Sequence, residues 1–286
     1  MNLRRLFKLT ETKESTISYL LENGLIKSEK KCWRCKKALY LTCSDLYYRH
    51  TTKKCLYKVK ALKGTIFEGK DDNLGDYVVL CYFLIHKVKV KEIKTFLDFS
   101  SSTICVWKEK IESLLTQTLP IEQQKIGGPG IIVEIDETKL GKRKYHRGHR
   151  VDGVWVVGGV ERTPEKRCFF IAVEDRSKET LENIIQTCVE EGSIVYTDGW
   201  KGYNRTSSIL NFSHMTVNHS HNFVDPSTAV HTNTIEGLNN FLKMEILPRN
   251  RTKKNMQKRL TMTIWRRKNK KNLWSSFIQA PNTTFE

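Results

Sequence analysis

The glycine-rich stretch IEQQKIGGPG, ending at Gly130, constrains this chain more than any other feature, because the hydrophobic pattern changes there. Before it, apolar residues recur at helical spacing. After it, IIVEID, VWVVGGV, CFFIAVE and SIVYTD form four short apolar runs rich in β-branched residues, the pattern of strands in a buried sheet. Between the third and fourth runs a helix is expected from about Lys178 to Glu190, with Leu181, Ile184, Ile185 and Val189 on one face. HMTV reads as a fifth strand and TNTIEGLNNFLK as a further helix. If WKGYN after Asp198 is helical, the order is three strands, helix, strand, helix, strand, helix. That order specifies an α/β class with a mixed sheet flanked by helices.

The order is that of a ribonuclease H-like fold, expected over residues 131–248. Upstream, residues 1–28 read as a helical segment, with Ile17, Leu20, Leu21 and Leu25 near helical spacing. Residues 29–70 carry a close cysteine pair and short β-favouring pieces, as a zinc ribbon does. Residues 71–120 hold a helical stretch from about Leu74 to Leu115, broken twice. Its last part follows the N-capping run Ser100-Ser101-Ser102-Thr103, as in a helix-turn-helix. Residues 249–286 form a basic C-terminal segment.

Charge narrows the partners. Lys and Arg number 49 against 31 Asp and Glu, a net charge of +18 with a pI near 9.5, and such a surface attracts polyanions, nucleic acid first among them. A hydrophobic content of 39% is enough for a core and argues against a wholly disordered chain. The N-terminus MNLRRLFKLTETKES lacks a secretory pattern, and the longest apolar run, Tyr77 to Ile85, is too short to span a bilayer. A protein that is not secreted and not membrane-bound is expected, its cysteines reduced and available to a metal.

Asp136 and Asp198 end the first and fourth strand runs, where open sheets gather ligands, and Glu236 lies near the start of the last helix. Three gathered carboxylates repel one another unless cations sit between them, and an all-oxygen ligand set suits magnesium or manganese. Two such ions can activate a water or a 3′-hydroxyl against a phosphodiester. Spacing alone does not exclude Glu134, Glu137 or Asp175, and an Asp at a strand end is more often a cap than a ligand.

The run VEIDETKLGKRKYHRGHRVDGVWVVGGVER closely resembles the first catalytic block of Merlin-type transposases and their bacterial ISXO2-like relatives. YTDGWKGY and HTNTIEGLNNFLK resemble the second and third blocks, in the same order. The likeness extends from the early helix to IWRRKN near the C-terminus. It implies that Asp136, Asp198 and Glu236 form a DDE triad holding magnesium, in an oligomeric enzyme that cuts double-stranded element ends and transfers them to target DNA. The family's tryptophan shortly after the last glutamate is missing from GLNNFLK. A domesticated, non-catalytic DNA-binding protein is the alternative; the intact acids argue against it. A eukaryotic host would imply a nuclear location, and otherwise a cytoplasmic one.

Cys32-Trp-Arg-Cys35 has the knuckle spacing of a zinc site. His50 and Cys55 are the favoured completion, with Cys43 competing for the third place; in the resembling family a cysteine stands where His50 does. Cys81, Cys105, Cys168 and Cys188 read as core residues. Lys139, Lys142, Arg143, Lys144, Arg147 and Arg150 follow the first acid closely and are expected to hold DNA phosphates. From Arg249 to Lys271 there are eleven Lys/Arg and no acid, with Met262 and Trp265 marking one packed side and Arg266 and Arg267 available to phosphate. His219, His221 and His231, just before the third acid, are candidates to position DNA or a water, with a core or loop role as the alternative.

Overall fold

Runs of apolar, largely β-branched residues build the central sheet of the second half of the chain. The structure, a computed structural model, describes residues 1–51, 55–119, 125–141, 153–198, 200–203, 212–217 and 231–280. The chain divides into two units, Leu115–Lys268 and Met1–Leu114 with Asn269–Glu286.

In the unit of residues 1–114 and 269–286, helices α1 (Leu3–Leu9) and α2 (Lys13–Glu22) lead into four short strands. These are β1 (Glu29–Lys31), β2 (Ala38–Thr42), β3 (Tyr47–Arg49) and β4 (Val59–Lys60), an antiparallel meander in sequence order. Three helices follow: α3 (Leu74–Ile85), α4 (Val90–Phe96) and α5, which starts at Ser101 and runs to Thr118. The two breaks expected in this stretch are present. Ser100 accepts the Thr103 N–H through its hydroxyl (3.1 Å), the N-cap that starts α5. Trp107 of α5 stacks on Tyr77 of α3, with ring centroids 4.6 Å apart, and on Phe67 at 5.9 Å. Cys81 is buried, as expected, whereas Cys105 is exposed. Helical periodicity corrects that expectation: Ile104, Trp107, Ile111 and Leu114 form the buried stripe of α5, and Cys105 falls outside it.

The unit of residues 115–268 holds strands β5 (Ile126–Gly127), β6 (Ile132–Leu140), β7 (Val154–Glu161) and β8 (Cys168–Val173), then α6 (Lys178–Cys188), β9 (Val189–Glu190), β10 (Ile194–Asp198) and β11 (Ser213–Val217). Its helices α7 (Asn233–Glu245) and α8 (Met256–Lys268) follow, and α9 (Leu273–Gln279) returns to the first unit. The five-stranded sheet runs β11-β10-β6-β7-β8. Strands β6, β7 and β8 are antiparallel neighbours, while β10 is parallel to β6 and β11 to β10. WKGYN contributes only a 3-10 turn at Lys201–Tyr203 among its described residues, in place of the expected helix.

Period two sorts β6 between the two faces of the sheet. Val133 and Ile135 pack with Val157, Phe169 and the α6 stripe of Leu181, Ile184 and Ile185. The other face, with Glu134 and Asp136, is covered by α7 through Ile235, Leu238 and Leu242. Close approach there depends on Gly158, the cross-strand partner of Asp136. A Cβ on Gly158 would lie 2.8 Å from the Phe170 ring and 3.2 Å from Ile235 of α7. Beside β8, Gln257 of α8 accepts the Ala172 N–H (2.9 Å) and donates to the Phe170 carbonyl (3.1 Å), covering a sheet edge that would otherwise be open. The basic C-terminal run is therefore no wholly solvated face: Leu260 to Trp265 of α8 are buried.

Candidate active site and metal centre

Strand register brings the first two acids together. Tyr196 of β10 pairs with Glu134 of β6 in parallel, so two residues further on Asp198 stands level with Asp136 on the same face. Asp198 is oriented by its own loop, its Oδ1 accepting the Trp200 N–H at 3.1 Å. Asp136 Oδ1 accepts the Glu137 N–H (2.8 Å), and its Oδ2 accepts Nδ2 of Asn239 (2.9 Å). Asn239 lies three residues after Glu236 on α7, so both sit on one side of that helix. Burial, and then the charges of Asp198 and Glu236, push the Asp136 carboxyl up to about 6 against two hydrogen bonds that lower it. All three carboxylates thus share one electrostatic neighbourhood.

The donor chemistry fits a hard divalent cation. The groups are oxygen-only and partly buried. The side-chain oxygen of Asn239, beside Asp136, is buried with no hydrogen-bond partner among the described residues. A cation or its water would satisfy that oxygen and relieve the like-charge repulsion.

The neighbouring acids have other partners. Glu134 ion-pairs with Arg162 and faces the start of α7. Glu137 points to the opposite face of β6 and accepts the Tyr203 hydroxyl, with Arg176 at 3.5 Å. Burial foremost raises its carboxyl, with the charges of Asp198 and Asp136 adding to the effect. Asp175 caps α6 from outside, taking the Ser177 N–H (2.8 Å) and the Thr180 hydroxyl (2.9 Å) on one oxygen. Arg176 lies between two indoles, 3.8 Å from the Trp155 centroid and 4.6 Å from that of Trp200, which is 42% exposed beside Asp198. Sequence reading missed Asn239, Tyr203, Arg176 and the two tryptophans. Only Asn239 carried a usable signal, its helical spacing from Glu236.

The second cluster lies in the meander. Cys32, Cys35, His50 and Cys55 present ligand atoms all within 4.8 Å of one another, and Cys35 Sγ is 3.5 Å from His50 Nε2. The knuckle is closed by Lys36 N–H to the Cys32 carbonyl (2.9 Å), with Lys36 in the left-handed region at φ 61°. Burial raises the Cys32 thiol, but hydrogen bonds from the Cys35 and Arg34 backbone and from His50 outweigh it and bring the thiol down to about 6. A Cys₃His set of this compactness suits a tetrahedral metal site of the kind that holds structural zinc. Cys43 is exposed and outside the cluster.

Of the expected phosphate contacts, Lys142, Arg143, Lys144, Arg147 and Arg150 lie outside the described residues, as do His219 and His221. Lys139 is exposed, its ammonium 5.4 Å from the Trp155 ring. Arg266 and Arg267 are half-buried near the end of α8, and Arg267 lines a cleft with Lys125, Arg167 and Lys268. His231 sits just before α7, with Nδ1 2.8 Å from Arg162 Nη2.

Among the described residues no helix is long and apolar enough to cross a membrane. No curated protein is similar enough to be matched to the chain. The family model of the ISXO2-like transposase domain matches residues 126–268, half of the chain and all of the sheet, α6, α7 and α8 described above. The chain belongs to the ISXO2-like transposase family.

Proposed function

We propose that this protein is a DNA transposase whose catalytic acids are Asp136, Asp198 and Glu236. The single observation that carries the reading is the shared neighbourhood of these acids, felt in the raised Asp136 carboxyl. Inside a matched transposase domain, so costly a gathering of negative charge has an evident use. Support for a ribonuclease H-like fold comes from the strand order β11-β10-β6-β7-β8, with three antiparallel strands and two parallel ones beside the first.

Asp136 and Asp198 would flank two magnesium or manganese ions and Glu236 would complete one of them. When bound, such ions polarise the scissile phosphate and lower the pKa of an attacking water or 3′-hydroxyl. Asn239 holds Asp136 by one hydrogen bond, and the Trp200 N–H holds Asp198, so both carboxylates meet the cations preoriented. Lys139 and the basic run through Arg150 would grip the DNA backbone, with Arg266 and Arg267 as further contacts. Zinc at Cys32, Cys35, His50 and Cys55 would staple the meander of residues 29–70. That ribbon and the helix-turn-helix-like segment of residues 71–120 would bind the element's terminal repeats, and two copies would pair the two ends.

Strand cleavage of the element's own end DNA with magnesium tests this. Asp136→Ala, Asp198→Ala and Glu236→Ala should each lower cleavage by on the order of 10³-fold or more with DNA binding kept, since each removes a cation ligand. Binding without cleavage by the wild type would instead favour a domesticated DNA-binding protein.

A further inference from the structure

Glu134 lies two residues before Asp136 on the same face of β6, yet it is fully buried. An ionised carboxylate at that depth must be paired on both oxygens. Its Oε1 accepts Arg162 Nε at 2.5 Å. Its Oε2 accepts two backbone N–H groups, from Thr234 (2.8 Å) and Ile235 (2.9 Å), in the first turn of α7. These are amides that a helix leaves without internal partners. The residue at the N-cap, Thr232, makes no side-chain capping bond. Glu134, about a hundred residues earlier in the chain, therefore caps α7 from the floor of the sheet.

Arg162 completes the clamp. It stands two residues beyond Val160, the cross-strand partner of Glu134, so its side chain shares Glu134's face. Its Nη2 donates to the His231 carbonyl (2.7 Å) and to His231 Nδ1 (2.8 Å), and its guanidinium lies 4.9 Å from the Tyr196 ring centroid. Since the guanidinium only donates, His231 Nδ1 accepts, which puts the ring in the tautomer protonated at Nε2. Both the chain entering α7 and the first turn of the helix are thus tied to β6 and β7 through one ion pair. Glu236 follows Ile235 directly, and Asn239, which touches Asp136, lies on the next turn.

We infer that Glu134 is a positioning residue: with Arg162 it clamps the start of α7 to the sheet, and so sets Glu236 and Asn239 against Asp136. The inference rests on the transposase reading for its consequence, since the carboxylate geometry matters when cations bind. It also explains why two acids on one strand face have different fates. Glu134 is consumed by the helix that covers it, which leaves Asp136 to the cluster.

The test uses the full chain carrying Glu134→Gln, without DNA. Amide hydrogen exchange is read across α7, and manganese uptake is followed from the resonance signal of the free ion. A glutamine keeps the size but has one acceptor oxygen, so it cannot accept from both Arg162 and the α7 amides, and the clamp opens. Exchange at Thr234 and Ile235 should speed up at least 10-fold while β6 and α6 keep their protection, and half-saturation by manganese should need about 10-fold more ion, a loss of about 1.4 kcal/mol in binding. Asp136→Asn should show the reverse combination: manganese uptake lost, α7 protection kept. Unchanged α7 exchange in Glu134→Gln overturns the inference, and so does faster exchange with unchanged manganese affinity. If that variant does not fold, Arg162→Lys, which keeps the capping carboxylate, should produce both shifts in the same direction, and the absence of either overturns the inference. A wild type that takes up no manganese at the acids counts against the transposase reading instead, and α7 exchange then decides on the clamp by itself.

Discussion

Replacing Asp136 by asparagine should make the metal-free protein more stable while removing its cleavage activity. The carboxyl is raised from an ordinary 3.8 to about 6, burial being the first cause and Asp198 the second. At about 1.36 kcal/mol per pH unit, holding that charge at pH 7.5 costs the fold about 3 kcal/mol. An asparagine carries no charge and still accepts one of the two hydrogen bonds; losing the other, from Glu137 N–H or Asn239, returns about 1 kcal/mol. A net gain of about 2 kcal/mol follows from these two terms. The sign with pH is fixed by linkage. Because the folded carboxyl titrates above the unfolded one, the wild type loses stability as pH rises from about 4 to about 6 and stays level beyond. Urea denaturation of both proteins in chelator, from pH 4 to 8, should therefore show a gap that is nearly closed at pH 4 and full above pH 6. Manganese at 100 times its dissociation constant should return about 2.7 kcal/mol to the wild type and nothing to the variant. Equal stabilities at pH 7.5, or a gap that does not change with pH, would refute the idea that crowded, buried charge raises Asp136.

Three further outcomes are expected. Substituting Cys32, Cys35, His50 or Cys55 by serine or alanine should weaken zinc retention by on the order of 100-fold, measured by release to a chromogenic chelator, whereas Cys43→Ser should retain zinc as the wild type does. With the Cys32 thiol near 6, retention should also fall as pH drops through that value, since protons then compete for the sulfur. Gly158→Ala puts a methyl 2.8 Å from the Phe170 ring and 3.2 Å from Ile235, so α7 or Phe170 must shift. A cost of about 1–3 kcal/mol in urea denaturation should accompany reduced cleavage, and a neutral effect on both would show that α7 docks with slack.

Local information in the sequence was enough for the elements. Short apolar runs rich in β-branched residues, with HMTV, marked the five strands after Gly130, the stripe of Leu181, Ile184 and Ile185 marked α6, and the run Ser100-Ser101-Ser102-Thr103 marked the start of α5. Those signals are legible because period and capping act within a few residues. Sequence put both Asp136 and Asp198 at strand ends; Asp198 does end β10, but β6 runs on to Leu140 paired with β7, so Asp136 lies mid-strand and meets Asp198 through register. Local spacing did mark Cys32 with Cys35 at a knuckle. Choosing among chemically similar residues was beyond it. Glu134 and Asp136 share a face by period two, and only the docking of α7 consumes the first and leaves the second with Asp198. Cys43 and His50 were both plausible ligands until the meander was paired. The Thr42–Tyr47 pairing puts Cys43 in the β2–β3 turn, at the far end from the knuckle, while β3 carries His50 back to it. Residue type and spacing are properties of the chain, but a ligand's partners lie tens of residues away, and only strand register and helix docking decide which of them meet.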